Sequence, residues 1–260
     1  MMAQIKSADL LHKLHIKGNP LVLFNVWDAG SARAMKEIGA QVIATSSWAI
    51  AESQGSEDGE KLSFNLVIAN LKRIIANVDL PVTIDLEGGY GKSPMEVQKT
   101  AKKIIEAGAV GMNFEDQIVG GDGLYSIEDQ CARIQSIREV ADHLSIPIFI
   151  NARTDIFLKT EPVNHREKQL EEAICRASAY EKAGANGFFA PGLKNANHIE
   201  KLCKFSSLPV NIMVLGDTPT LKELALLGVA RISYGPSPYY QAMDALKEAG
   251  RQAILNMDSG

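Results

Sequence analysis

Eight times along this chain of 260 residues, a short continuous apolar run gives way to a stretch with helical periodicity. The runs are residues 21–26, 41–45, 81–84, 110–114, 146–150, 187–190, 210–214 and 229–233. The helical stretches are 32–38, 66–76, 94–107, 127–143, 167–183, 195–205, 218–227 and 241–249. Runs that are apolar throughout, not alternating, mark strands covered on both faces. Strands separated by helices run parallel. Gly39, Gly108, Gly184 and Gly228 each follow a helix and precede a strand, the place where a helix end needs a left-handed residue. Eight strand–helix pairs in about 250 residues predict a closed (β/α)8 barrel in preference to an open doubly wound sheet. The expectation is a single barrel domain spanning 1–260, since no linker or low-complexity segment interrupts it.

In such a barrel the loops after the strands gather at one face, where the chemistry is done. The longest of these loops are 46–63, 117–126 and 154–166. Three successive strands end in charged motifs there: Asp85-Leu86-Glu87-Gly88-Gly89-Tyr90-Gly91, Phe114-Glu115-Asp116-Gln117 and Asn151-Ala152-Arg153-Thr154-Asp155. By strand alternation Asp85 and Glu87 share a side, as do Asn151 and Arg153. Close carboxylates repel by on the order of 4 kcal/mol per pair at an effective dielectric near 20. A divalent cation removes that conflict, so Asp85, Glu87 and Glu115 are candidate metal ligands. All-oxygen ligands favour Mg²⁺ or Mn²⁺ over Zn²⁺. The alternative is that these acids cap helices or pair with lysines. Gly88, Gly89 and Gly91 let the backbone turn sharply beside a ligand.

Arg153 offers a planar fork suited to a carboxylate or phosphonate, with an internal ion pair as the alternative and Asp155 as its orienting partner. Thr45-Ser46-Ser47-Trp48 ends the second strand. Its hydroxyls and amides suit an oxyanion, unless the serines are turn residues and Trp48 a core or lid aromatic. Composition alone reads Asp58, in Gln54-Gly55-Ser56-Glu57-Asp58-Gly59-Glu60, as a solvated turn.

Charge and cysteine use exclude several partners. The balance is 27 − 31 = −4 with no basic stripe, which argues against nucleic acid. No apolar run approaches the roughly 18 residues of a membrane span, and residues 1–20 carry no signal-peptide apolar region. Cys131, Cys175 and Cys203 are far apart and lack metal-ligand spacing, which fits a reducing, cytoplasmic setting. His12 and His15 are read as part of a solvated helix surface.

Together these motifs resemble the isocitrate lyase / phosphoenolpyruvate mutase superfamily, over roughly residues 21 to 236. The family's Asp-x-Asp-x-Gly-Tyr-Gly corresponds to Asp85 through Gly91, its Glu-Asp-Gln to Glu115-Asp116-Gln117, and its Ala-Arg-Thr-Asp to Ala152 through Asp155. Pro209-Val210-Asn211 and Gly228-Val229-Ala230-Arg231-Ile232-Ser233 also resemble family segments. The resemblance implies Mg²⁺ bound through Asp85, with Glu87 and Glu115 helping directly or through water. It implies that Ser46, Ser47 and the amides around them, Trp48 included, hold a pyruvate-like unit, and that Arg153 and Asn151 serve the substrate. It makes Asp58, Arg153 and Ser46 the catalytic candidates, with Asp58 as a lid residue. It also implies homo-oligomers, dimers or tetramers, in which the eighth helix swaps between subunits.

Two departures bear on the reaction. Lyases of the family carry an acid/base Cys in Lys-Lys/Arg-Cys-Gly-His after the Glu-Asp-Gln motif. Here the stretch is Ile118-Val119-Gly120-Gly121-Asp122-Gly123-Leu124, without Cys or His, and shorter than the polar, Asn-containing lid of the phosphonomutase branch. The second acid of the metal motif is Glu87 where the family has Asp. Three functions follow as expectations: a Mg²⁺-dependent lyase acting on a small 2-oxo or 2-hydroxy di-acid through a pyruvate-type enolate, such as an oxaloacetate decarboxylase-like or C–C lyase; a phosphonate C–P mutase or hydrolase; or a non-catalytic oxo-acid binder.

Overall fold

A computed structural model describes residues 1–160 and 167–255. Its strands are β1 (Leu21–Leu23), β2 (Ile43–Ala44), β3 (Val82–Asp85), β4 (Gly111–Glu115), β5 (Phe149–Arg153), β6 (Gly187–Phe189), β7 (Val210–Met213) and β8 (Arg231–Ser233). All pair in parallel, in the order β1-β8-β7-β6-β5-β4-β3-β2. The two edges meet at one parallel bridge, Val26 to Thr45, so the sheet is a nearly closed (β/α)8 barrel. The helices are α1 (Met2–Lys13), α2 (Ala29–Glu37), α3 (Ser47–Ser53), α4 (Phe64–Asn77), α5 (Pro94–Glu106), α6 (Ile127–His143), α7 (Ile156–Lys159), α8 (Glu167–Lys182), α9 (Ala196–Phe205), α10 (Leu221–Leu226) and α11 (Ser237–Leu255).

Local chemistry explains several boundaries. Asp28 with Ser31, Ser93 with Glu96, and Thr220 with Glu223 form reciprocal capping boxes that start α2, α5 and α10. The fifth strand begins three residues later than the apolar run suggests, because Pro147 has no N–H to give a ladder. The run 146–148 instead leads into the strand, and Arg153 lies within it.

The solvated-surface reading of His12 and His15 is overturned. Helix α1 closes the floor of the barrel, with Ala8 and Leu11 fully buried among Leu21, Leu23, Val42, Ala44, Val110 and Phe149. His15 follows that helix and stacks on Phe149 at 3.9 Å between ring centroids. Burial, then the nearby Arg231 charge, push its pKa down to about 3. His12 reaches the carbonyl of Pro147 at 2.9 Å. A stack on a barrel residue far along the chain leaves no local trace in the sequence.

Helix α3 also replaces part of what reads as polar loop 46–63, with Ser46 capping it by accepting from the Ala49 amide. A Ser followed by Trp48, Ala49, Ile50 and Ala51 carried that signal. The loop expected at 154–166 is described only through Thr160 and contains the short α7; the rest lies outside the described residues. Helix α11 is unusual: of its 19 residues only Pro238 is buried.

Candidate active site

The mouth of the barrel holds a cavity of about 140 Å³, the volume of about four to five waters at their liquid density. Six of the residues singled out in the sequence line it: Ser46, Ser47, Trp48, Asp58, Asp85 and Arg153. Asn25, Asn113, Phe189, Met213 and Ser233 complete much of the wall. Of these only Ser233 lies in a segment quoted from the sequence, the one that runs from Gly228 to Ser233, and no role was assigned to it. Asn113 had a signal, since it lies two residues before Glu115 on the same strand face.

Asp85 ends β3, and its backbone N–H donates to Thr45 Oγ1 at 3.0 Å. Its Oδ2 accepts from Ser47 Oγ at 2.9 Å and from the Ser47 amide at 3.3 Å. Its Oδ1 is buried with no hydrogen-bond partner. An orphaned carboxylate oxygen in a cluster of acids suits a cation. That is the fit expected of a Mg²⁺ ligand.

Glu87 is placed differently from the strand-alternation argument. The strand stops at Asp85, and Glu87 takes a left-handed φ of +52°. Its carboxylate leaves the main cavity wall and accepts from the Glu60 amide at 2.6 Å and from Tyr90 Oη at 3.2 Å. Tyr90 N in turn donates to Glu60 Oε1 at 2.7 Å. Glu60, Glu87 and Tyr90 all have left-handed φ, and only one other non-glycine among the described residues does. Backbone strain is therefore concentrated at this loop. Gly89 belongs to the same turn, with φ +92°; a Cβ there would lie 2.8 Å from the Phe114 ring. Arg133, sandwiched between Phe114 and Tyr125, holds the loop from behind through the carbonyls of Gly88 and Gly91. Glu60 and Arg133 are supports that the motifs did not reveal. A void of about 10 Å³ still joins Glu87 to Asp85 and Ser47.

Glu115 is buried at the end of β4, with Oε2 3.0 Å from Arg153 Nη1. Arg153 also grips Asp155, Nε to Oδ1 at 2.6 Å and Nη2 to Oδ2 at 2.9 Å. The internal ion pair and the orienting Asp155 are thus both present. A guanidinium has five N–H donors. These contacts occupy three, leaving two for a ligand in the cavity. Asp155 is placed by Asp116, whose Oδ1 accepts from the Asp155 amide at 3.0 Å. Asp116 is itself fully buried and bonded to Tyr180 and Arg176. The Glu-Asp-Gln and Ala-Arg-Thr-Asp motifs are therefore one mechanical unit.

Asn151 does not reach the cavity. It is buried inside the barrel, 2.9 Å from Asn113 Oδ1 and 3.1 Å from Asn211 Oδ1, in register with Asn113 of β4. Of the Asn151 and Arg153 pair, the cavity lining includes Arg153 and not Asn151. Among the described residues no three His, Cys, Asp or Glu side chains converge as a ready-made metal cage.

The acids nonetheless feel one another. Burial, and then Asp58, push Glu87 up to about 7. Burial raises Glu115 well above the usual range against the pull of Arg153, with Asp155, Asp85 and Glu87 adding to the rise. Asp58 is raised by burial and then by Asp85, although Ser47 bonds it. For Arg153, burial opposes the charge, but Glu115 and Asp155 outweigh it and raise the pKa. The 118–124 segment is a small hairpin tied by the Gln117–Leu124 bridge. Val119 sits over Gly88, and no residue of the hairpin lines the main cavity.

The phosphoenolpyruvate phosphomutase family matches residues 11–254. A crystal structure of a candidate phosphonomutase from Burkholderia cenocepacia J2315 is 45% identical, with a TM-score of 0.94 over 96% of this chain and 99% of that one. The 2-methylisocitrate lyase of Salmonella typhimurium is 30% identical over 89% of this chain and 79% of its own length. The oxaloacetate decarboxylase of Pseudomonas entomophila is 27% identical over 85% of this chain and 75% of its own. A match that runs from α1 into α11, over motifs that meet at one barrel mouth, shows that the chain belongs to the phosphoenolpyruvate mutase/isocitrate lyase superfamily.

Proposed function

We propose that the chain is a Mg²⁺- or Mn²⁺-dependent lyase for a small 2-oxo or 2-hydroxy di-acid, working through a pyruvate-type enolate. The observation that carries this is the pairing of Asp85, with its unpartnered Oδ1, and Arg153, with two free N–H donors, around one small cavity. Asp85 would hold the cation, with Glu87 and Glu115 completing the acidic surround. When bound, the cation supplies positive charge that offsets the charge of the forming enolate. Arg153 grips one carboxylate of the substrate. Ser46, Ser47 and the Trp48 amide receive the pyruvate-like end. In a decarboxylation the C–C bond to the departing carboxylate breaks, its electron pair becomes the enolate, and CO₂ leaves. Asp58, which lines the cavity and whose pKa burial and then Asp85 raise, would return a proton to carbon. No Cys is needed for bond cleavage, which suits a loop that has none.

A second reading is favoured by the 45% identical neighbour: a phosphonate in the same cavity, rearranged or hydrolysed at its C–P bond, with Arg153 on the phosphoryl oxygens. A panel separates the two. Oxaloacetate, substituted malates and 2-methylisocitrate are incubated with enzyme and Mg²⁺ or with EDTA, and phosphonopyruvate is followed by phosphorus NMR. Mg²⁺-dependent loss of a di-acid supports the first reading, and a shifted phosphorus resonance replaces it with the second. Tight oxalate binding without turnover across the panel would make the chain an oxo-acid binder.

The assembly belongs to the same proposal. Helix α11 leaves Leu246, Ile254 and Leu255 exposed. A largely apolar groove of about 530 Å³, bordered by Val26, Trp27, Ala34 and Met35, lies at its root. A helix this bare gains stability by packing on a second copy. Sedimentation at micromolar concentration is expected to give a dimer or tetramer, and a lone monomer would refute the assignment. Among the described residues no helix is long and apolar enough to cross a membrane. Cys131, Cys175 and Cys203 are free thiols, and a cytoplasmic setting is part of the reading.

A further inference from the structure

Below the catalytic groups runs a column of buried amides whose order is dictated from both ends. Asn113 pairs in register with Asp85 of β3 and with Asn151 of β5. Its Oδ1 accepts from Asn151 Nδ2 at 2.9 Å and from Arg231 Nη2 at 3.1 Å. Arginine can only donate, so the oxygen of Asn113 must be the atom that faces Arg231. At the other end, Asn211 Nδ2 donates to the Arg231 carbonyl at 3.2 Å, and a carbonyl can only accept. Asn211 Oδ1 therefore receives Asn151 Nδ2 at 3.1 Å and Ser233 Oγ at 3.1 Å. Flipping Asn113 would set its Nδ2 against the Arg231 and Asn151 donors, and flipping Asn151 would set its Oδ1 against the oxygens of Asn113 and Asn211. Both of the bonds to the Asn113 side chain thus fall on Oδ1, which leaves Nδ2 as the group available to the cavity that Asn113 lines.

Arg231 is 1% exposed, and its Nε and Nη1 have no partner. Its guanidinium spends its one side-chain bond on Asn113. Burying a guanidinium with so few partners costs stability.

We infer that Asn113 is a specificity-determining residue whose Nδ2 donates to a carboxylate or 2-oxo oxygen of the substrate beside Asp85, and that Arg231 is the positioning residue that turns it there. The inference rests on the 2-oxo-acid reading above. It differs from that reading in placing a neutral donor, absent from the charged motifs, against the ligand. A site built to donate a hydrogen bond rejects ligands lacking the acceptor.

The test uses oxalate as the probe, with Mg²⁺, on the full chain. Affinity is measured by calorimetry, and folding by circular dichroism and melting. Asn113→Ala is expected to weaken oxalate roughly 10- to 100-fold, the usual loss for a bond to a charged acceptor, while Mg²⁺ alone binds as in wild type. Arg231→Met should weaken oxalate in the same direction but add nothing in an Asn113→Ala background, the signature of two groups acting through one contact. Arg231→Lys, which keeps a donor and the charge, should restore part of the affinity. If Arg231→Met fails to fold, Asn113→Ala decides the matter alone. Wild type and Asn113→Ala binding oxalate equally well would overturn the inference and leave the oxo-acid reading standing. Wild type that fails to bind oxalate with Mg²⁺ would overturn both.

Discussion

Asp85→Ala is expected to lower kcat/KM by roughly 10³-fold or more, a loss of about 4 kcal/mol of transition-state stabilisation. The size follows from the lack of a substitute. Glu115 is committed to Arg153, and Glu87 to Glu60 and Tyr90, so neither can swing in to replace the missing oxygen. The orphaned Oδ1 is the one buried carboxylate oxygen among the described residues without a partner. Removing Asp85 also frees Ser47 Oγ, which blurs the pocket's other wall. Asp85→Asn is the sharper control, because it keeps the shape and the Ser47 contact while deleting the charge. Steady-state rates on whichever acid the panel identifies, across a Mg²⁺ titration, would measure both variants. A loss smaller than tenfold in Asp85→Ala, in protein that still melts cooperatively, would end the metal assignment.

The second large effect is a coupling of stability, pH and Mg²⁺ through Glu87. Its carboxyl is moved from 4.5 to about 7 by burial first and Asp58 next. The folded state therefore binds more protons than the unfolded one between those values. Stability from this group is fully present at low pH and is lost as pH rises through 7. His15 works the other way. Its folded pKa of about 3 lies below the usual 6.5, so its contribution grows as pH rises from 3 to 6.5 and is complete above that. The two are separated by a difference measurement. The stability of wild type minus that of Glu87→Gln, from urea unfolding without metal, should fall by about 2 kcal/mol between pH 5.5 and pH 8. Mg²⁺ should stabilise wild type strongly at pH 8, where the acids are ionised, and little at pH 5.5, where protons occupy them. A difference that stays flat, or equal Mg²⁺ stabilisation at both pH values, would show that Glu87 titrates as an ordinary surface acid.

The residues legible in advance are those fixed by one rule, that side chains at the carboxyl ends of parallel barrel strands point into a shared mouth. Asp85 and Arg153 obey it, and Ser46 follows from the same logic at the end of the second run. Asp58 was legible only through family resemblance, since a polar loop says nothing about which acid folds inward. Glu87 escaped the rule because the chain leaves the strand before reaching it and turns left-handed. Alternation has no meaning past that point. Asn113 and Asn151 sit side by side at one level of the barrel, yet only Asn113 lines the cavity. Their roles depend on Arg231, which is 118 residues from Asn113 along the chain. The burial of His15 is hidden for a related reason, since its stacking partner Phe149 belongs to the fifth strand. Periodicity reports which side of an element is buried, and pairings across the barrel lie outside its reach.

Trp48 forms a wall of the cavity, and its ring lies 4.4 Å from Tyr240 and 6.0 Å from Tyr239, at the root of α11. Tyr239 also meets Trp27 edge-on at 5.2 Å. The aromatic cluster at the start of this exposed helix thus also flanks the cavity. A partner seated on that helix would therefore lie one ring away from the chamber, and any coupling between the two would act equally in both directions.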